Sequence, residues 1–344
     1  MYQYKPKSFS CPPLYGIRQR RSKLARSPQA PLLTESGSFP AVGRDEPQPG
    51  VDYPRDEDDL EQMFSAEVDV HRYLERIRYP RGFACAACGD RATPWRSGTG
   101  LLACTACRQP APLRAGTIFQ ASPIPLRQWL RGLWLLTASE TSVGAHAFAH
   151  QVGVDEAQAD KLLRRLRGAM ARADAPPLEG HVYVATSRLA EREGRPSATS
   201  PLIAMAVDVE RTHRPRVRLG QLPRVTSRDI QRFVVDAVAP CSKVVTAPWR
   251  GFSLITDSGY EHEVRDNPPG QMNGAVAPSD VWALLRLWVW STPELDVDDL
   301  QPALDEFAFR FNRRHYRPGQ LFYRLMRGVT ELDADPCATH RAAS

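Results

Sequence analysis

No apolar run in this chain approaches the ~18 residues that a membrane-spanning helix needs. The basic N-terminus also lacks the apolar stretch of a secretory signal. Cysteine is sparse: there are seven, four of them gathered between 85 and 107. That is too few and too uneven for a secreted disulfide scaffold. These absences exclude the membrane and disulfide-rich classes and leave a soluble, cytoplasmic protein as the expectation.

What is present is positive charge, unevenly placed. The 344 residues carry a net charge of +6, and the length suggests two or three modules. Residues 1–26 hold seven bases and no acid, residues 27–78 carry −7, residues 79–176 carry +6, and the rest is neutral. The charge of the folded chain therefore sits in one block of about a hundred residues, the place to look for a nucleic-acid contact.

Residues 1–57, rich in Pro, Ser, Gln and Gly, read as a disordered tail. Leu60, Met63, Phe64, Val68 and Leu74 then recur at mostly helical intervals, giving a leading helix over 58–78 that ends before Tyr79-Pro80. A cysteine-centred unit follows over 79–122, and a helical module over 123–176, with helices near 125–138, 142–151 and 156–172. After Pro176-Pro177, alternating apolar residues predict strands near 181–186, 202–208, 215–221 and 243–247, with a helix over 227–238. Helices near 279–291, 300–314 and 318–328 close a 177–330 domain before a 331–344 tail. This pattern fits an α/β or α+β architecture.

Cys85-x2-Cys88 and Cys104-x2-Cys107 are separated by fifteen residues. Two such knuckles offer four thiolates to one ion, which predicts one tetrahedral structural zinc. Gly89 supplies the positive φ that these turns often need. Zinc with four thiolates carries −2 and lowers the block to about +4. Arg91, Arg96, Arg108 and Arg114 are the candidates for phosphate contact, although exposed arginines on so small a ribbon are also simply solvated.

Residues 142–172 read as two helices around a turn at Val152-Gly153-Val154, the layout of a helix-turn-helix. Lys161, Arg164, Arg165 and Arg167 charge the second helix, and the first three are candidate DNA contacts. Asp155, Glu156 and Asp160 occupy its start and would repel phosphate, so an ordinary helical packing module is the competing reading. His146 and His150, four apart, have no third ligand nearby and read as ordinary helix residues.

Several stretches resemble the ISXO-type insertion-sequence transposases. They are Tyr79-Pro-Arg-Gly-Phe83 before the knuckles, Ala115-Gly-Thr-Ile-Phe119, Pro125-Leu-Arg-Gln-Trp129, Trp249-Arg-Gly-Phe252, Tyr260-Glu-His-Glu-Val264, Asn273-Gly274, and above all Leu304-Asp-Glu-Phe-Ala-Phe-Arg-Phe-Asn-Arg-Arg-His315. The resemblance implies a multidomain α+β chain: an N-terminal zinc ribbon, the helix-turn-helix-like module, and a C-terminal ribonuclease H-like α/β transposase domain. It further implies three acids binding two Mg²⁺ ions for phosphodiester hydrolysis and strand transfer. The implied partner is double-stranded DNA at transposon ends in a bacterial, nucleoid-associated setting, with a homodimer as a possible assembly.

The family's three acidic positions hold no acid here. The opening strand, Gly180-His-Val-Tyr-Val-Ala185, has Ala185 at the first position. Ala247 stands two residues before Trp249 at the second. At the third, counting forward from Asn273-Gly274 reaches Val276 and counting back from Trp282 reaches Ser279. Asp280 is one step off, about 100° around a helix, and suits a helix N-terminus. Asp208 and Asp257 are the acids that a relocated site would use. The loop Arg188–Gly194 also departs from the family's basic loop. The Trp- and Leu-rich helix after Val281 (Trp282, Leu284, Leu285, Leu287, Trp288, Trp290) is either buried or a partner surface.

The expectation is a transposase-family DNA-binding protein that keeps its zinc but not Mg²⁺ and does not cut DNA. The alternatives are an active transposase with relocated acids and a protein-interaction module that no longer binds DNA.

Overall fold

A computed structural model describes residues 47–96, 101–173, 176–189, 200–209, 215–266, 277–291 and 300–331. Residues 1–46 of the expected tail, most of the 188–194 loop, and Asn273, Gly274 and Val276 lie outside them. The architecture is mixed α/β, and no helix among the described residues is long and apolar enough to cross a membrane.

The expected leading helix is two helices, α1 (Glu57–Met63) and α2 (Glu67–Arg78). Two carboxylates set the break. Asp56 accepts the Asp59 N–H at 2.9 Å at the start of α1. Asp69 accepts from the Ala66 N–H and the Ser65 hydroxyl, both at 3.2 Å, at the start of α2. Each satisfies donors that a helix start leaves orphaned.

Packed chain begins before the expected boundary at 57. Tyr53 is buried, the Tyr73 hydroxyl donates to the Asp52 carbonyl at 2.8 Å, and Arg76 donates to the Val51 carbonyl at 2.7 Å. Gly319 lets this segment close on the last helix, because a Cβ there would lie 2.2 Å from the Pro54 carbonyl oxygen.

Two short strands, β1 (Trp95–Arg96) and β2 (Leu102–Ala103), form an antiparallel ribbon. Next come α3 (Leu126–Ala138), α4 (Ala145–Val152) and α5 (Glu156–Ala173). Gly153, at φ +76, ends α4 in the left-handed conformation. Asp155 then opens α5 by accepting the Gln158 N–H at 2.8 Å.

The sheet contains β3 (His181–Arg188), β4 (Leu202–Asp208), β5 (Val217–Leu222), β6 (Lys243–Thr246) and β7 (Glu261–Val264), in the order β5-β4-β3-β6-β7. The β3–β4 and β4–β5 pairs are antiparallel, and β3–β6 and β6–β7 are parallel. The sequence pattern foretells every strand but β7, whose Glu-His-Glu-Val is half charged and has little apolar alternation. Helix α6 (Ser227–Ala237) covers one face through Ile230 and Val234 against Val182, Val184, Ala204 and Val244. Helices α7 (Pro278–Trp290) and α8 (Gln301–Asn312) cover the other through Val281, Leu285, Leu304 and Phe307 against Ile203, Met205 and Leu219.

The last helix, α9 (Pro318–Glu331), departs from the expected 177–330 division. Its Phe322, Leu325 and Met326 belong to the core of α2, α3 and α5, with Phe64, Tyr73, Trp129 and Leu162, and not to the sheet. An amphipathic helix docks wherever an apolar face is left open. Here that face belongs to helices at least 145 residues earlier in the chain.

Candidate zinc centre and nucleic-acid interface

The two cysteine pairs sit in turns of the same form. In the first, the Gly89 N–H donates to the Cys85 carbonyl at 2.9 Å and the Cys85 N–H donates to the Asp90 carbonyl at 2.8 Å. In the second, the Arg108 N–H donates to the Cys104 carbonyl at 2.9 Å and the Cys104 N–H donates to the Gln109 carbonyl at 2.9 Å. Gly89 has φ +75, as the spacing predicts, and Arg108 occupies the equivalent position at φ +60.

The turns bring all four Sγ atoms within 4.8 Å of one another. Cys85 and Cys107 are 3.6 Å apart, as are Cys88 and Cys104. A tetrahedron with Zn–S near 2.3 Å has edges of about 3.8 Å, so the cluster has the size of one four-thiolate zinc site. Phe83 packs against buried Cys85 and Cys104, and its ring meets Tyr79 edge-on at 5.2 Å.

The thiols' electrostatics point the same way. The N–H groups of Cys88 and Ala87 hold the Cys85 thiol down at about 7. At Cys88 the Asp90 N–H works against a rise, yet the Cys107, Cys85 and Cys104 thiols and burial outweigh it and push the thiol up to about 12. Four thiolates so close together need a cation between them. Cys85, Cys88, Cys104 and Cys107 could hold one zinc ion, and among the described residues they form the one such group. His146 instead pairs with Glu156 at 2.7 Å on the surface.

Of the seven cations proposed to contact DNA, the structure leaves three exposed and without a partner among the described residues: Arg91, Arg108 and Lys161. Others are engaged within the chain. Arg96 grips both oxygens of Glu75 on α2, at 3.1 and 2.6 Å. Arg114 donates to the carbonyls of Ser122 and Ile124, at 2.9 and 3.1 Å. Arg165 donates to those of Ile118 and Gln120, both at 3.0 Å. Arg164 pairs with Asp160 at 3.0 Å on the surface. A guanidinium has five donors, and loop carbonyls that would otherwise be orphaned compete well for them.

At the sheet, Val184 of β3 pairs with Thr246 of β6. Ala185 and Ala247 are the next residues of these parallel neighbours. Ala185 pairs with Met205, a residue of the face that α7 and α8 cover. Ser279 is exposed in the first turn of α7. Asp280, beside it, turns back to accept the Ala277 N–H at 3.0 Å, the helix-start role its position suggests. Asp208 pairs with Val182, three residues or about 10 Å back along the strand from Ala185. Asp257 lies in an exposed turn at 256–258.

The Trp-Arg-Gly stretch also has a local reason. The Trp249 ring lies on the backbone of Gly251, where a Cβ would come within 2.0 Å of it, and meets Phe252 edge-on at 5.2 Å. Helix α7 buries Val281, Leu285 and Trp288 and leaves Leu284 and Leu287 exposed, so it is both a core helix and an apolar surface.

A family model described as the transposase zinc-ribbon domain, of the IS1595 type, matches residues 65–110. No curated protein matches the chain. The matched stretch covers α2, both knuckles and the ribbon, so this part of the chain is similar to the zinc ribbon of transposases.

Proposed function

We propose that this chain is a transposase-family DNA-binding protein whose zinc ribbon and helical module hold duplex DNA and whose sheet domain does not cut it. The observation that carries the reading is the four-thiolate cluster inside the transposase zinc-ribbon match. Three further features support it. The ribbon presents Arg91 and Arg108 unpaired. Helices α4 and α5 meet at a left-handed glycine, as in a helix-turn-helix. The sheet order β5-β4-β3-β6-β7, with only β4 reversed, suits a ribonuclease H-like domain, flanked by helices on both faces.

In that fold the chemistry would sit where β6 ends beside the middle of β3. Ala185 and Ala247 offer two methyl groups there, and Ser279, in the first turn of α7, offers only a hydroxyl. Magnesium takes carboxylate and water oxygens, so these residues do not fit a two-metal centre. Asp208 is three residues, about 10 Å, back along the strand, and Asp280 is committed to its own helix start. A DNA-holding role without strand transfer is what the remaining groups can perform.

The test has two arms. Binding of the zinc-loaded chain to duplex DNA should weaken with salt, log K falling by about 0.9 per neutralised phosphate for each decade of salt. Incubation with Mg²⁺ or Mn²⁺ and DNA carrying the ends flanking the gene should give no cleavage or joining. A metal-dependent product lost in Asp208→Asn or Asp280→Asn would overturn the non-cutting part. Affinity indifferent to salt would overturn the DNA-binding part.

A further inference from the structure

The ribbon has an inner and an outer face. Trp95 pairs with Ala103, and Arg96 with Leu102, so side chains on each side follow the strand alternation. Leu102 is buried in the helical core and Arg96 reaches Glu75 on α2, which makes theirs the inner face. Trp95 and Ala103 point away, and Leu101 begins the same outer row. Trp95 is 59% exposed and Leu101 58%. A large indole held outward is costly to leave in water.

The surroundings of this apolar row are cationic. Residues 79–122 contain five arginines and one acid, Asp90, and keep about +2 once zinc and its four thiolates are counted. Asp90 is turned inward, 3.8 Å from the Cys104 thiol. Arg81, Arg91 and Arg108 are exposed and have no partner among the described residues. The Thr105 hydroxyl donates to the Thr93 carbonyl at 3.4 Å, so the Arg91 loop lies against the second knuckle, two residues on from Ala103. The knuckles that carry Arg91 and Arg108 thus flank the root of the Trp95 row.

An outward aromatic ring on a ribbon that also exposes arginines matches a polyanion that has flat apolar faces. Duplex grooves present base edges, whereas the faces are stacked inside. An unpaired base shows its face. We infer that Trp95 is a stacking platform for an unpaired base of single-stranded DNA, with Leu101 beside the ring and Arg91 and Arg108 on the flanking phosphates. The inference rests on the DNA-binding reading and adds that the ribbon engages DNA where its strands are parted. Ribbon pairing and the two knuckles fix the indole's backbone, so little order is lost on stacking.

The experiment uses the full chain, with one zinc per chain verified for every variant. The probes are a labelled oligothymidylate of about 20 nucleotides and a random-sequence duplex of the same length, at one salt concentration. Trp95→Ala should weaken oligothymidylate binding about tenfold, within the range found for removal of a stacking aromatic, and leave duplex affinity within about twofold. Trp95→Phe should restore most of the loss. Arg91→Ala and Arg108→Ala should weaken both probes and lower the salt slope.

The inference is overturned if Trp95→Ala leaves the oligothymidylate affinity unchanged or lowers both probes equally. It is also overturned if the wild-type chain binds only duplex; the DNA-binding reading then survives. Binding to neither probe at low salt overturns both. Loss of a wild-type dimer in Trp95→Ala, with oligothymidylate affinity intact, would assign the outer face to a second copy and also overturn it.

Discussion

Arg167 of α5 donates from Nε to the Glu306 carboxylate of α8 at 2.9 Å, and Glu306 is fully buried. The same carboxylate accepts from the Ser142 hydroxyl at 3.2 Å and from Arg310 at 3.1 Å. One acid thereby ties the loop before α4, the body of α5 and the helix lying on the sheet. Removing one partner of a buried charged pair typically costs about 3–5 kcal/mol. Glu306→Ala should lose stability on that scale, because Arg167 and Arg310 are left facing each other. Arg167→Met should cost less, since Arg310 and Ser142 still satisfy the acid. Denaturant unfolding of the zinc-loaded chain, with the double variant closing the cycle, checks both.

This tie also explains what the sequence could and could not reveal. Helices α3, α6, α8 and strands β3, β4 and β6 are legible because their own periodicity writes them. The zinc site is legible because both halves of it are local turns. Glu306 and Asn312 lie in the longest stretch of family resemblance, but apart from Arg310, four residues on from Glu306, these partners are 95 to 164 residues away, and no local pattern announces such a pair. For the same reason Arg96, Arg114 and Arg165 read as surface cations in sequence. Their acceptors are a side chain on α2 and loop carbonyls placed only by the fold. The break at 64–66 was visible in principle, in Asp56 and Asp69 each opening a helix.

Asn312 caps an edge. Its side-chain amide takes the Val217 N–H at 2.7 Å and returns an N–H to the Val217 carbonyl at 3.0 Å. Gln301 does likewise further along β5, accepting from Gln221 at 2.8 Å and donating to Leu219 at 3.2 Å. These two amides occupy the backbone groups that would otherwise template strand addition. Asn312→Asp keeps an acceptor for the Val217 N–H but sets a carboxylate against its carbonyl. It should cost about 1–3 kcal/mol and raise concentration-dependent aggregation. Unfolding curves and light scattering on matched samples provide the measurement.

Asp59 and Arg55 give a pH signature. Hydrogen bonds from the Arg55 guanidinium, including Nη2 to Oδ1 at 2.8 Å, hold the Asp59 carboxyl down at about 2, against the opposing effect of burial. A depressed carboxyl contributes stability that is fully present above the unfolded value near 4. That contribution is lost as pH falls through about 2. The unfolding midpoint of Asp59→Asn should therefore lie below that of the wild type at neutral pH and converge with it as pH falls from about 4 toward 2. Parallel curves across that window would show that this ion pair is not what acid disrupts.

Arg108 and Gly89 make an internal comparison within the zinc centre, since they hold equivalent places in the two knuckles at φ +60 and +75. A side chain in the left-handed region costs about 1 kcal/mol relative to glycine. Gly89→Ala, with open space around its Cβ position, should then lose only that backbone term. Arg108→Gly should recover a similar amount, offset in part by the greater freedom of the unfolded chain. Because zinc binding and ribbon folding are one equilibrium, the readout is zinc affinity measured by chelator competition. The expected change is about fivefold weaker for Gly89→Ala and up to about fivefold tighter for Arg108→Gly. If Arg108 also meets a phosphate, the tighter zinc site should come with a salt slope for duplex binding smaller by about one. Stability and DNA affinity would then move in opposite directions in a single variant, which a purely structural role for Arg108 would not produce.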